Sequence, residues 1–188
     1  SRRRQVGPIE LRDAAVQRFN HLLAQIAPNA PRVSADQLVT LARWLEAQPR
    51  ERAVAILSER LARAEHLRRM LNDTDWEVGA ETRERARMLI GYLQQVDDLI
   101  PDSQPLLGQL DDALLVELAW PAFADETLDY GDFCRFRAVE QPRGTPRERR
   151  LAWETACLAE VALLQQRRQV RARHYIGGEP LPALFRVS

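Results

Sequence analysis

The chain has 188 residues, 27 acidic and 27 basic side chains, no net formal charge and 45% hydrophobic residues. That length can bury a real core, and that composition excludes a disordered or fibrous chain. A pI near 6.8 lacks the basic excess of a dedicated nucleic-acid-binding domain and argues against nucleic acid as a partner.

Every basic residue is Arg and Lys is absent. The codon bias of a GC-rich bacterial genome accounts for this, and it leaves each cation able to meet a carboxylate or phosphate in a bidentate pair. Cys134 and Cys157 lie far apart without spaced partners, and read as reduced thiols, neither a disulfide framework nor a zinc site. Ser1-Arg2-Arg3-Arg4 opens without Met, as a processed or trimmed end would, and no signal-peptide core follows it. A membrane-spanning helix needs about 20 predominantly apolar residues. The best stretch, Ala113–Ala124, is shorter and contains Glu117. The expected location is the cytoplasm.

Charge is unevenly placed. Between Arg87 and Arg135 there is no basic residue, while Asp97, Asp98, Asp102, Asp111, Asp112, Glu117, Asp125, Glu126, Asp129 and Asp132 all fall there. Such asymmetry predicts that the Arg-rich remainder docks on the acidic interval, or that an acidic face is held out for a partner.

Taken in chain order, Ile9–Ile26 carries a helical apolar stripe ended by Pro28 and Pro31. Ser34-Ala35-Asp36-Gln37 is a capping box, opening a second helix that stops near Pro49. A third runs over about Arg50–Leu71, apolar on one side and Arg/Glu-rich on the other, with Glu59/Arg63 as an i,i+4 pair. Asn72-Asp73-Thr74-Asp75 is a break before a helix over Glu81–Gln95. Beyond a Pro/Gly-rich elbow come helices over Leu110–Trp120 and Thr127–Val139, the latter interrupted by Gly131. Thr145-Pro146-Arg147-Glu148 caps the longest helix, which reaches about Tyr175 with Trp153, Leu158, Val161 and Leu164 as its apolar side. Gly177-Gly178 ends it, and the apolar residues of the tail Glu179–Ser188 suggest that it packs back on the body.

The expectation is an all-α bundle of about six or seven helices. It has a Pro/Gly elbow between two central helices and a short non-helical C-terminal tail. The division is one all-helical domain over 1–188, with N-terminal helices over 1–79, a helical hairpin over 80–124 and C-terminal helices and tail over 125–188. Trp44, Trp76, Trp120 and Trp153 are assigned to the core, and His21, His66 and His174 to the surface or its edge.

The elbow repeats the pattern apolar-Asp-Asp-apolar-apolar at Val96–Ile100 and Leu110–Leu114, with Pro101, Pro105 and Gly108 turning the chain between the copies. Asp111 and Asp112 fall in the first turn of a helix, where carboxylates suit the dipole. Asp97 and Asp98 fall at the C-terminal end of the preceding helix, where the same dipole disfavours them. They need compensation from an Arg, from turn amides or from a divalent cation.

Asp98-Leu99-Ile100-Pro101-Asp102, then Pro105-Leu106-Leu107-Gly108, then Leu110-Asp111-Asp112-Ala113, with Tyr92 upstream, resembles the core motif of the YkvA family over about residues 84–120. The resemblance implies a small helical bacterial domain without an established activity, in some members associated with membranes. This chain departs from the pattern with Val96 in place of Pro, which would let the first helix run longer. Asp97 replaces an apolar residue, Ser103 and Gln104 replace bulky apolar ones, and Gln109 replaces an aromatic. Those losses weaken the grip on a membrane.

Three functional readings follow. The first is a non-enzymatic interaction or adaptor module, with another protein or a second copy as partner. In it Tyr92, Pro101, Pro105 and Gly108 shape the elbow, Asp102 caps the turn, and Arg83, Arg85 or Arg87 locks Asp98 or Asp112. The second is a divalent-metal site, Mg²⁺ by preference, at Asp97, Asp98, Asp102, Asp111 and Asp112. Arg135 or Arg137 would hold a phosphate for metal-assisted hydrolysis or transfer. The third places anionic lipid, in peripheral membrane contact, or nucleic acid on Arg167, Arg168, Arg171 and Arg173, although cations are favourable at a helix C-terminus without any ligand.

Overall fold

Local signals decide two of the helix starts. In the computed structural model, which describes residues 5–6, 9–95, 99–100 and 105–176 and the side chains of 11–95, 99–100 and 105–171, Ser34 accepts from the amide of Gln37 while Gln37 accepts from the amide of Ser34. That reciprocal cap opens α2 (Ala35–Glu46). Thr145 and Glu148 form the same box at the start of α7 (Pro146–Ile176). Between them lie α3 (Arg50–Asn72), α4 (Ala80–Tyr92), α5 (Leu110–Ala119) and α6 (Ala124–Glu140). The described chain is all-α apart from two-residue strands β1 (Gln5–Val6) and β2 (Ile9–Glu10), paired antiparallel.

Three boundaries and one expected interruption differ from the sequence reading. The first helix, α1 (Asp13–Ile26), begins after Ile9, because Ile9–Glu10 pairs with β1 and Arg12 is still extended. α4 ends at Tyr92 instead of running towards Gln95. α6 starts at Ala124, directly after a 3₁₀ turn through Pro121, and passes through Gly131 unbroken. A mid-helix Gly costs only about 1 kcal/mol relative to Ala, which packing elsewhere along the helix overrides. Trp44 is 46% exposed and so does not belong to the core, whereas Trp76 is buried.

Contacts divide the chain into two units, Ser1–Asp132 and Phe133–Ser188. In the first, α5 is the hub: it packs on α1, α3 and α4, most extensively on α3. Its burial explains its sequence. Leu110, Ala113, Leu115, Val116 and Ala119 are buried around most of the helix, which leaves Glu117 at an exposed edge. Phe19 of α1 meets the Tyr92 ring edge-on with centroids 6.0 Å apart.

At the break after α3, the Tyr130 hydroxyl donates to Asp73 at 3.0 Å and Trp76 Nε1 donates to Glu126 at 2.8 Å. The ring of His66 lies 5.5 Å from that of Tyr130. These contacts pin the α3–α4 turn to α6, a tie that the run Asn72–Asp75 does not advertise. In the second unit Phe133 and Trp153 meet edge-on at 6.0 Å, joining α6 to the start of α7. Leu115 is fully buried. Leu115→Ala should therefore lower the unfolding free energy by about 2–5 kcal/mol in urea titration, and a loss below about 1 kcal/mol would contradict α5 as the hub.

Candidate functional site

Tyr92 is the last residue of α4, and Asp111 lies in the first turn of α5 with its side chain fully buried. Asp111 Oδ2 accepts the Tyr92 hydroxyl at 2.9 Å and the amides of Leu99 and Ile100 at 3.1 Å each. The Leu99 amide also reaches the Tyr92 oxygen at 3.3 Å. Leu99 and Ile100 are themselves buried, so their amides cannot turn to water. One carboxylate oxygen thus ties the end of α4, the elbow and the start of α5 together.

Leaving the elbow, Leu106 has φ 68° and ψ −50°, and the Leu107 amide donates to Pro105 at 2.8 Å. This is a γ-turn in the left-handed half of the map, a strained form for a residue with a side chain. Gly108, buried, continues it into a 3₁₀ turn that feeds α5 directly. Pro105 and Leu106 line one wall of a groove of about 600 Å³ whose other wall includes Val54, Leu57, Glu46 and Arg50.

Burial pushes the Asp111 carboxyl above the ordinary aspartate range, while the Tyr92 hydroxyl and the backbone amides of Ile100, Asp111 and Leu99 pull it down; burial wins. Asp111 Oδ1 has no hydrogen-bond partner among the described residues. The donors on Oδ2 favour the ionised form and burial favours the neutral one.

No protein-family model, curated protein or solved structure matches this chain.

Of the expected elbow residues, Asp97, Asp98, Pro101 and Asp102 lie outside the described residues. Tyr92 and Asp111 are brought together, Pro105 and Gly108 lie in the turn that leads into α5, and Asp112 is buried in its first turn. α4 stops at Tyr92 and a turn follows at Leu93–Gln94. Among the described residues, no three acids, histidines or cysteines are placed to hold a metal ion.

Arg83 donates to the Leu71 carbonyl at 3.3 Å and Arg85 pairs with Glu81, while Arg87 is exposed. The expected arginine lock on Asp98 falls outside the described residues, and the Asp111 oxygen is held by amides and a phenol. Arg63 pairs with Glu117 at 2.9 Å, not with Glu59, and Arg60 joins it at 3.4 Å. Arg137 lies over the Phe133 ring at 5.1 Å.

Arg167, Arg168 and Arg171 stand exposed on α7, and Arg173 is part of that helix with its side chain outside the described set. What sequence reading missed is that most of the apolar side of α7 is not covered. Trp153 and Cys157 are half-buried, but Leu158 is 72%, Val161 51% and Leu164 49% exposed. The signal was present as Leu163 and Val170, also exposed, which lie outside the single stripe that a core-facing helix needs.

Asp111→Ala strands two buried amides and a phenol and should cost roughly 3–5 kcal/mol at neutral pH by urea titration; a loss under about 1 kcal/mol would contradict the lock. Asp111→Asn keeps an acceptor but cannot titrate. The raised carboxyl contributes fully below its unfolded value near about 4, and that contribution is lost as pH rises through the folded value. The wild type should therefore lose stability relative to Asp111→Asn as pH rises above about 4. A stability difference independent of pH would show that Asp111 is not held as the acid.

Proposed function

We propose that this chain is a non-enzymatic, YkvA-like bacterial interaction module of the cytoplasm that uses α7 as its binding element. The observation that carries this is the number of large apolar side chains left in water along α7: Leu151, Leu158, Val161, Leu163, Leu164 and Val170. Burying one such side chain is worth about 1.5–3 kcal/mol, so this many exposed on one helix marks a contact surface. An interaction role is also supported by how the most motif-like carboxylate is used. Asp111 holds buried backbone donors, leaving Oδ2 committed to the turn. No described helix is long and apolar enough to cross a membrane.

In an extract of bacteria expressing the tagged chain, gel filtration should place it well above its own 21.6 kDa. Leu158→Glu with Leu164→Glu should return it to the monomer position. The purified double variant should keep its unfolding free energy within about 0.5 kcal/mol, because both sites are exposed. A wild-type chain that migrates as a monomer in the extract would sink the reading.

A further inference from the structure

We infer that α7 pairs with the α7 of a second copy of this chain, antiparallel and centred on Val161; this rests on α7 being the binding element. Val161 is the midpoint of Pro146–Ile176, so a pair centred there overlaps both helices from end to end. One face is centred on that residue: Glu154, Leu158, Val161, Leu164 and Arg168 follow at steps of four, three, three and four residues. That spacing reads the same in both directions, as an isologous contact requires. Turned end for end, the face sets Leu158 against Leu164, Val161 against its own copy, and Glu154 against Arg168, twice per dimer.

The charges select both the partner and the direction. From Val161 onward α7 carries Arg167, Arg168, Arg171 and Arg173 with no acid. Its first half is balanced, with Arg147, Arg149 and Arg150 against Glu148, Glu154 and Glu160. A parallel pair stacks four arginines on four, whereas the antiparallel pair lays them beside a neutral half that holds three glutamates. At present Glu154 meets Arg150 of its own helix at 3.5 Å, a partly exposed pair of modest worth that a partner's arginine can displace. The helix dipole does not account for the order. Glu154 and Arg168 each lie more than two turns from their helix end, beyond its reach.

Sedimentation equilibrium of the purified full chain should show a reversible dimer. Glu154→Arg or Arg168→Glu alone turns two attractive contacts into repulsive ones and should weaken the dimer about tenfold or more at low salt. The double reversal should restore it. In a background with Cys134→Ser and Cys157→Ser, a mixture of Glu154→Cys and Arg168→Cys chains should form disulfide-linked dimers, and neither should link to itself.

A purified chain that stays monomeric up to about 1 mM overturns the inference, as does ready self-linking of Glu154→Cys, which would mean a parallel pair. If the purified chain is monomeric while the assembly in extract persists and depends on Leu158 and Leu164, self-pairing fails and the interaction reading stands. The charge reversals lie at exposed positions, so the comparison survives even where a leucine variant folds poorly.

Discussion

A single carboxylate oxygen organises the centre of this protein. Asp111 Oδ2 collects a phenol from the end of α4 and two successive amides from the elbow, and it does so from the first turn of α5. Short side chains that accept more than one donor are the usual means of satisfying turn backbone. Here the turn is buried, so the acceptor must be buried with it, and the carboxyl is pushed towards its neutral form. Ionisation and burial compete at that atom. Because α5 packs on α1, α3 and α4, fixing its first turn fixes the position from which the hub enters the core.

The acidic interval that stands out in the sequence is divided among separate tasks. Asp111 binds neutral donors, Glu117 draws Arg60 and Arg63 from α3, and Glu126 accepts the Trp76 indole. The pairing of Glu117 meets the expectation of Arg-rich helix on acidic helix, since α3 and α5 share the largest helix contact. Its groups are partly exposed, so it orients the contact more than it stabilises it. Arg63 also lies over the Trp120 ring at 5.4 Å, which ties the same cation to the turn after α5. One acid of the interval thus docks its helix on an Arg-rich one.

How much was legible depended on the range of the cause. The two capping boxes are complete within four residues, and both were readable from Ser34/Gln37 and Thr145/Glu148. The all-α class follows from periodicity, which needs only one helix at a time. The end of α4 was not legible, because the contact that closes it joins Tyr92 to Asp111, nineteen positions on. Asp111 itself was visible as a motif residue, and it does sit in the first turn of α5. Its first-turn position invited an electrostatic explanation, and nothing local signals that the Leu99 and Ile100 amides come back to it. Trp44 was misplaced because size and hydrophobicity describe what a side chain prefers, while its exposure depends on which neighbours reach it.

α7 separates two properties that sequence reading tends to join. Its Ala, Leu, Arg, Gln and Glu are strong helix formers, and the box at Thr145 supplies the costly start, so the helix is specified locally. Burial is a separate matter. Trp153 reaches Phe133, but from Leu158 onward the same periodicity faces water. A helix laid on its own core needs only apolar width on one side; it has no need for an acid and a base at mirror positions about its midpoint. The antiparallel pairing proposed above would use both: the spacing of Glu154, Leu158, Val161, Leu164 and Arg168 reads the same from either end.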